Sequence, residues 1–448
     1  MISGEGSAQL SPLRALRATI GSRLGKDIWS TVGGNGIGAI AAFLGGLVLA
    51  RWLGPAGRGT VELALFAVNS AILLLGLGLN IPTAVFMGSS PARGVWAYRA
   101  GVGLLLVYSF VAIPVALLVV PRIESWRALG LGVSLALSAL AGFLALSLLQ
   151  LATAAAIGSG RIQSLNLGVV SRWLAYLLGL LILQALVPPS AEWALGWFAG
   201  SALLGCAVIW FGLRGINRSS RVHAADDAHR LETLSFGIRG QAGNVLQFLS
   251  YRFDVMLVSL WVGQAALGVY AVGVLFAEAL WLLPNALGTV LLSHTARSSK
   301  EAADRRISFI FPVTFWLVLT GGVVLSVIAW LAAREYLGSA YAQVPQVTWA
   351  LMPGAIALSG TKVLASDLIG RGYPGVNTLI ASGTMVITIL GDVLLIPRYG
   401  IIGAAIASSL GYSASLALTM VAFRGRSGIR LGFMLPQDVS FAAADAED

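Results

Sequence analysis

Apolar runs of about 20 residues or more follow one another along most of the chain, separated by short polar stretches. Each run is long enough to cross about 30 Å of hydrocarbon as a helix. Only 11% of the residues are charged and 57% are hydrophobic, whereas a typical soluble domain is about 25% charged. Runs such as YLLGLLILQALV lack the alternation of a membrane β-barrel. The chain is therefore predicted to be an all-α polytopic membrane protein.

About twelve transmembrane helices are predicted, six on each side of the longest polar stretch. The first six cover residues 29–50, 60–88, 97–120, 128–157, 163–187 and 193–213, and the last six cover 236–262, 266–293, 307–333, 345–370, 374–396 and 400–423. We expect five regions in chain order: an amphipathic cytoplasmic segment (1–28), an N-lobe (29–213), a cytoplasmic linker (214–235), a C-lobe (236–424) and a cytoplasmic tail (425–448).

Lys and Arg are distributed unevenly between the two sides of the predicted membrane. Of the 29 basic residues, 20 fall in segments on the side of the N-terminus and 6 on the opposite side. Because basic residues collect in cytoplasmic loops, both termini are expected in the cytoplasm. The same rule accounts for the net charge of +10, so nucleic acid is not expected as a partner.

The two halves of the chain resemble each other at a shift of 209 residues. The shift aligns Gly34 with Gly243, Asn35 with Asn244, Gly54 with Gly263 and Gly59 with Gly268. An even number of spans separates the copies, which gives both the same orientation in the membrane. We therefore predict two six-helix lobes related by pseudo-two-fold symmetry around a central cavity.

The stretch QFLSYRFDVMLVSLWVG carries two charges inside an apolar run. Arg252 lies about ten residues from the outer end of its span, or ~15 Å deep in a helix. An Arg at that depth costs roughly 2.5–3.5 kcal/mol on insertion scales. Asp254 follows about 200° further round the helix. We expect each charge to face its own partner or a water-filled cavity.

Other polar side chains at membrane depth complete the candidate site. The candidates for substrate binding are Arg252, Lys362, Arg172, Asn35 and Asn244, and those for ion coupling are Asp254 and Glu278. Salt bridges between helices are the alternative role for the charged residues, and interhelical hydrogen bonds for the amides.

Three further features are expected at the membrane surfaces. Asp367 and Asp392 lie close enough to the ends of their spans to be interfacial. Arg58 and Glu62 are spaced i,i+4 and are expected to pair at the outer turn RWLGPAGRG.

The sequence offers little for catalysis. It has no GxxxxGK[ST] motif, no Ser/His/Asp or Cys/His constellation, one cysteine (Cys206) and three histidines without metal-ligand spacing. Neither an enzyme nor a cofactor or metal site is expected. A polytopic glycan polymerase would need a larger outer loop than the roughly dozen residues available.

The stretch LARWLGPAGRGTVELALFAVNSAILLLGLGLN resembles the first hairpin of bacterial polysaccharide exporters, the Wzx-type oligosaccharide flippases. That family belongs to a superfamily that also holds multidrug and toxin extrusion antiporters and lipid II flippases. The matching residues are Ala50, Arg51, Leu53, Gly54, Pro55 and Gly59 in the hairpin, and Arg252, Asp254, Gly268 and Tyr270 in the second lobe. Twelve spans argue mildly against the fourteen-helix lipid II branch.

The resemblance implies alternating-access transport in the bacterial plasma membrane. The expected substrate is a polyprenyl-diphosphate-linked oligosaccharide moved from the cytoplasmic to the outer leaflet, with H⁺ or Na⁺ as the coupling ion. Expected partners are membrane lipids and the glycan polymerase machinery. A multidrug or cation antiporter of the same superfamily is the alternative, which would favour net negative charge in the cavity. A non-transporting scaffold is a further alternative.

Overall fold

The computed structural model describes residues 23–118, 122, 132–214, 227–295 and 299–429. Nearly all of these residues are helical, and no strand occurs among them. The helices are α1 (Arg23–Leu75), α2 (Asn80–Ser89), α3 (Pro91–Leu118), α4 (Val133–Gly158), α5 (Ile162–Leu186), α6 (Ala191–Leu213), α7 (Asp227–Trp261), α8 (Gln264–Ala279), α9 (Leu282–Thr295), α10 (Lys300–Leu331), α11 (Val344–Gly370) and α12 (Pro374–Ser427). A π-helical turn, Ala332–Leu337, and a 3₁₀ turn, Ser339–Tyr341, join α10 to α11.

Each of the twelve predicted spans is largely helical where the structure describes it, and the span 60–88 is interrupted by a turn between Leu75 and Asn80. The two longest helices each supply two spans, because α1 breaks at Gly54 (φ 67°, ψ 177°) and α12 at Gly400 (φ 57°, ψ −135°). One span is itself bent, by 44° between α8 and α9.

Length and apolarity alone identify fewer spans. Eight described helices qualify by these criteria, and nine do so if the bent pair is counted. Helix α7 is not among them, since it carries both Arg252 and Asp254.

Some predicted regions fall outside the described residues. These are most of the amphipathic segment (1–22), residues 215–226 of the linker and residues 430–448 of the tail. Helix α7 begins at Asp227 instead of residue 236, so the last part of the predicted linker is helical.

The helix-connecting turns lie at two opposite ends of the bundle. One end, here called the glycine end, holds the turns at Gly54, Gly263, Gly338 and Gly400, all with positive φ. Contacts link these turns, since the Tyr341 hydroxyl donates to the Ala50 carbonyl at 2.8 Å. The opposite end, here called the Arg371 end, holds the turn between α11 and α12.

The helices form an N-lobe (α1–α6) and a C-lobe (α7–α12). In the N-lobe α4 packs on α6, and α5 packs on α1 and α6. In the C-lobe α11 packs on α9, α10 and α12, and α7 packs on α12. The largest core cluster crosses between the lobes, because Leu47 and Ala50 of α1 join the buried face of α8 around Tyr270 and Phe276.

The sequence repeat appears in the structure as a symmetric contact between the lobes. Gly54 and Gly263 share a backbone conformation with positive φ and extended ψ, and each begins a helix of the repeat. The helices they begin cross at Gly59 and Gly268. A Cβ on Gly59 would lie 1.9 Å from the Gln264 carbonyl oxygen, and one on Gly268 would lie 1.9 Å from that of Pro55. These reciprocal contacts place the pseudo-two-fold axis between the two glycines.

Replacing Gly59 by alanine is expected to destabilise the protein, because backbone atoms that cannot rotate away occupy the space for the added methyl. Overpacking of this kind costs about 1–3 kcal/mol. Thermal unfolding of the detergent-purified protein measures the effect. Gly103→Ala is the matched control, since nothing lies within 4 Å of its added methyl. Equal unfolding temperatures for the two variants would contradict the close approach.

Candidate functional site

A cavity of about 400 Å³ lies between the two lobes and is here called the interlobe cavity. Its described lining comes from both lobes: Asn69, Ile72, Leu73, Gln150, Asn244, Gln247, Phe248, Tyr251, Arg252, Glu278 and Lys362. Three of these residues carry charge, namely Arg252, Lys362 and Glu278. The described lining thus holds two cations against one carboxylate.

Arg252 lines the interlobe cavity and is also paired. Its Nη1 lies 3.1 Å from Glu62 Oε1, and its Nη2 lies 2.6 Å from Glu278 Oε1. Glu62 belongs to α1 in the N-lobe, whereas Arg252 and Glu278 belong to the C-lobe. Arg252 therefore forms an ion pair across the lobe boundary as well as one within its own lobe.

Arg58 and Glu62 form the expected i,i+4 pair, with Nη1 2.8 Å from Oε2. The pair is covered by protein, since the side chains are only 8% and 13% exposed. The helix after Gly54 packs against α8, which covers this face of α1. Arg58 consequently neutralises Glu62 inside the protein, next to Arg252.

Lys362 of α11 lies beside aromatic rings without an ion-pair partner among the described residues. Its ammonium lies 5.2 Å from the ring centre of Trp281 and 5.8 Å from that of Tyr251. Cation–π contacts of this kind stabilise an ammonium without neutralising it. The positive charge of Lys362 is thus available to an anion in the cavity.

Asp254 faces away from Arg252, as their angular separation predicted. It is 4% exposed and accepts hydrogen bonds from the Tyr270 hydroxyl, from the Val255 N–H at 2.7 Å and from Ser408 Oγ at 3.3 Å. Tyr270 and Ser408 lie about two helical turns from Gly263 and Gly400 respectively. Asp254 therefore belongs to a buried polar group nearer the glycine end.

Asp392, expected near the outer end of its span, completes this buried group. It is 0% exposed, and neither carboxylate oxygen has a hydrogen-bond partner among the described residues. It lies near enough to Asp254 for the two carboxyl groups to repel each other electrostatically. Thr388, one turn earlier, also has a buried hydroxyl oxygen without a described partner. In the sequence, Asp392 stood out as an acidic residue within an apolar run. Its distance from the helix end did not reveal that other helices bury it.

A second cavity, of about 480 Å³, lies within the C-lobe and is here called the C-lobe cavity. Helices α7, α9, α11 and α12 line it with mostly polar side chains. It shares Asn244, Gln247, Tyr251 and Lys362 with the interlobe cavity. The two cavities are therefore neighbours with Lys362 at their common wall.

Of the remaining candidate site residues, some line these two cavities and others do not. Asn244 lines both cavities. Glu278 lines the interlobe cavity in its ion pair with Arg252. Arg172 lines neither cavity and stacks over Trp173 at 4.4 Å. The side chain of Asn35 lies outside the described residues.

Asp367, expected near the inner end of its span, is also buried within the protein. It is 0% exposed, accepts from Thr295 Oγ1 at 2.7 Å and pairs with Arg371 Nε at 2.5 Å. Arg371 also bonds Asp304 at 2.6 Å. Burial alone would lower the pKa of Arg371, but the bonds to the two carboxylates outweigh it and raise the pKa. This group ties α9, α10 and α11 together at the Arg371 end.

No protein-family model and no curated protein sequence matches the chain. Several solved structures share its fold. The lipid II flippase MurJ in an inward closed conformation superposes with a TM-score of 0.66 at 12% identity, over 87% of this chain and 86% of that one. An outward-facing multidrug resistance MATE transporter gives 0.62 at 14% identity, over 90% and 96%.

A MOP superfamily transporter from Pyrococcus furiosus, described as having a binding pocket of reversed polarity, gives a TM-score of 0.58 at 16% identity, over 90% of this chain and 96% of that one. The chain therefore has the fold of the transporters of the MOP superfamily. This confirms the two-lobed all-helical architecture expected from the sequence.

Proposed function

We propose that the protein is a flippase that moves a polyprenyl-diphosphate-linked oligosaccharide across the membrane by alternating access. The observation that carries the proposal is Lys362, whose positive charge faces the interlobe cavity with no ion-pair partner among the described residues. A charge at membrane depth has a cost that is offset when an oppositely charged ligand binds. An anionic substrate such as a lipid diphosphate meets that requirement.

Arg252 gives the diphosphate a second contact and links its binding to the lobe boundary. A guanidinium bonds phosphate through two parallel N–H donors. In this structure one terminal nitrogen of Arg252 bonds Glu62 of the opposite lobe, at 3.1 Å. A diphosphate that takes this nitrogen releases Glu62, so substrate binding would break an ion pair between the lobes.

Arg58 lowers the electrostatic cost of releasing Glu62 from Arg252. Glu62 keeps its bond to Arg58 on the same helix, at 2.8 Å, and Arg252 keeps Glu278 at 2.6 Å. Each lobe therefore retains a balanced pair when the pair between them breaks. A buried charge left without any partner would cost about 3–5 kcal/mol.

The coupling ion in this proposal binds at Asp254 and Asp392. Two neighbouring carboxylates without a cation cannot both remain ionised cheaply in a buried site. Uptake of H⁺ or Na⁺ between them removes the repulsion, and the hydroxyls of Tyr270 and Ser408 already orient Asp254. Glu278, the other candidate for this role, is engaged by Arg252.

The proposed setting is the bacterial plasma membrane with both termini in the cytoplasm. The surplus of basic residues on the N-terminal side supports this orientation, which puts the Arg371 end in the cytoplasm and the glycine end outside. Membrane lipids and glycan polymerase machinery on the outer side are the partners that this role implies.

The second candidate function is a multidrug or cation antiporter. The buried pair of carboxylates and the likeness to MATE transporters favour it. The charges of the interlobe cavity argue against it, since Arg252 and Lys362 outnumber Glu278. A cationic drug would be repelled by Lys362 where it enters the cavity.

Deleting the protein from its native cell tests the proposal. We expect a polyprenyl-diphosphate oligosaccharide to build up severalfold, with loss of the matching surface glycan, because the unflipped intermediate cannot be consumed. Mass spectrometry of extracted lipids measures both. Wild-type protein should restore the normal level, and Lys362→Gln should not. Unchanged lipid-linked saccharides in a strain lacking redundant flippases, together with new sensitivity to cationic drugs, would establish the antiporter instead.

A further inference from the structure

The C-lobe cavity differs in chemistry from the interlobe cavity beside it. Its volume of about 480 Å³ falls in the range of roughly 300–1,000 Å³ typical of small-molecule sites. Amide and hydroxyl side chains contribute a little over half of its described lining residues, and most of the others are apolar. Lys362 is the one charged side chain in the described lining, and no carboxylate belongs to that lining.

Most of the Ser and Thr hydroxyl groups of this wall donate their hydrogens to the protein's own backbone. Five Ser and Thr hydroxyls in the lining donate to the carbonyl one helical turn earlier, over 2.7 to 3.4 Å: Ser250, Thr361, Ser366, Thr384 and Thr419. A hydroxyl oxygen that donates in this way still has lone pairs to accept with. The wall therefore offers acceptors to a bound molecule.

Asn377 adds a further acceptor to the same wall. Its amide nitrogen donates to the Ala365 carbonyl at 3.0 Å. Its carbonyl oxygen Oδ1 is buried and has no hydrogen-bond partner among the described residues. A buried acceptor without a partner costs free energy that a ligand donor would recover.

A ligand that suits this wall is neutral and rich in O–H donors. An anion would have only Lys362 as a counter-charge, because no other cation belongs to the described lining. A lipid tail would leave the polar groups unsatisfied, which is costly. A sugar ring carries several hydroxyl donors and no charge, and the place where the two cavities meet, next to Lys362, would join it to a phosphate.

We propose that the C-lobe cavity is the subsite for the sugar next to the diphosphate, while Lys362 at the common wall binds the attached phosphate. The inference rests on the proposed flippase function and adds to it the place of the glycan. The lipid diphosphate would lie in the interlobe cavity between Lys362 and Arg252, with its first sugar inside the C-lobe.

Filling the cavity tests the proposal in the native cell. Ser415 is buried in the cavity wall, so Ser415→Leu places a bulky apolar side chain where the sugar is expected. Asn377→Leu removes the unpartnered acceptor with little change in volume. Ser382→Leu is the matched control, because Ser382 lies in the same lobe and lines neither cavity.

We expect lipid-linked saccharide to accumulate in the deletion strain complemented with either Ser415→Leu or Asn377→Leu. With Ser415→Leu the amount should come close to that of the uncomplemented deletion strain. The control should restore the wild-type level. Thermal unfolding near the wild-type temperature shows which variant is stable, and one stable variant suffices for the comparison. Full complementation by a stable Ser415→Leu protein would overturn the sugar subsite while leaving the flippase function intact. No build-up on deletion would instead refute the flippase function.

Binding to the purified protein tests the ligand class directly. The probes are the 1-phosphates of glucose, galactose and N-acetylglucosamine, with methyl phosphate as the probe that lacks a sugar. We expect at least one sugar phosphate to bind about tenfold more tightly than methyl phosphate, the effect of one or two net hydrogen bonds. Ser415→Leu should remove this preference and Ser382→Leu should retain it. Equal affinity for all four probes would overturn the proposal. So would a bound sugar phosphate that only the organic cation tetraphenylphosphonium displaces.

Discussion

Asp392→Asn is expected to make the protein more stable in sodium-free alkaline buffer and to abolish ion-coupled transport. The carboxylate is 0% exposed and lacks a described hydrogen-bond partner, so its ionised form is costly, by an order of 1–3 kcal/mol. The stability of the wild-type protein should fall as pH rises, because deprotonation creates that charge, and sodium should restore it if sodium is the coupling ion. Asparagine at position 392 removes the charge, so stability should no longer depend on pH or on sodium through this group. Thermal unfolding across pH and sodium concentration measures them.

Glu335→Gln serves as the control for this experiment. Its carboxylate is 66% exposed in a surface pair with Arg334, so its removal should leave the response to sodium and pH unchanged. Asp254→Asn should also weaken the response, since it removes the other member of the pair. An Asp392→Asn protein that keeps the wild-type response to both ions would refute the coupling site.

Arg252→Gln is expected to reduce transport about 10–100-fold and to destabilise the protein. Loss of a charge-assisted contact to the substrate is worth about 1.5–3 kcal/mol, and each 1.4 kcal/mol is tenfold. The substitution also leaves Glu278 without its partner at 2.6 Å. Because the two side chains are 27% and 32% exposed, the cost lies below the ~3–5 kcal/mol of a fully buried pair. Uptake of lipid-linked substrate into vesicles and thermal unfolding measure the two effects.

A second substitution separates substrate binding from stability. In the variant Arg252→Gln/Glu278→Gln the uncompensated carboxylate is gone, while Glu62 keeps its bond to Arg58. Stability should return most of the way to wild type, and transport should stay low because the guanidinium is still absent. Recovered transport in this double variant would show that Arg252 acts only as a structural counter-charge.

The architecture followed from the sequence because membrane insertion leaves so few choices. Twelve apolar runs and the skew of basic residues predicted the helices and the two lobes. The glycines of the 209-residue repeat marked a real contact, since Gly59 and Gly268 approach each other across the lobe boundary. A close backbone approach needs a residue without Cβ, so it leaves a trace in the sequence.

The ion pairs between charged side chains left no comparable trace in the sequence. Only the tertiary structure decided which charges pair. Arg252 could be recognised as a charge at membrane depth, but its partner Glu62 is 190 residues away and was predicted at the surface. Asp392 was placed at the interface by its distance from the helix end, yet neighbouring helices bury it completely. Depth along one helix is a local property that the sequence determined. Burial and charge compensation depend on which helices pack together, which no single apolar run records.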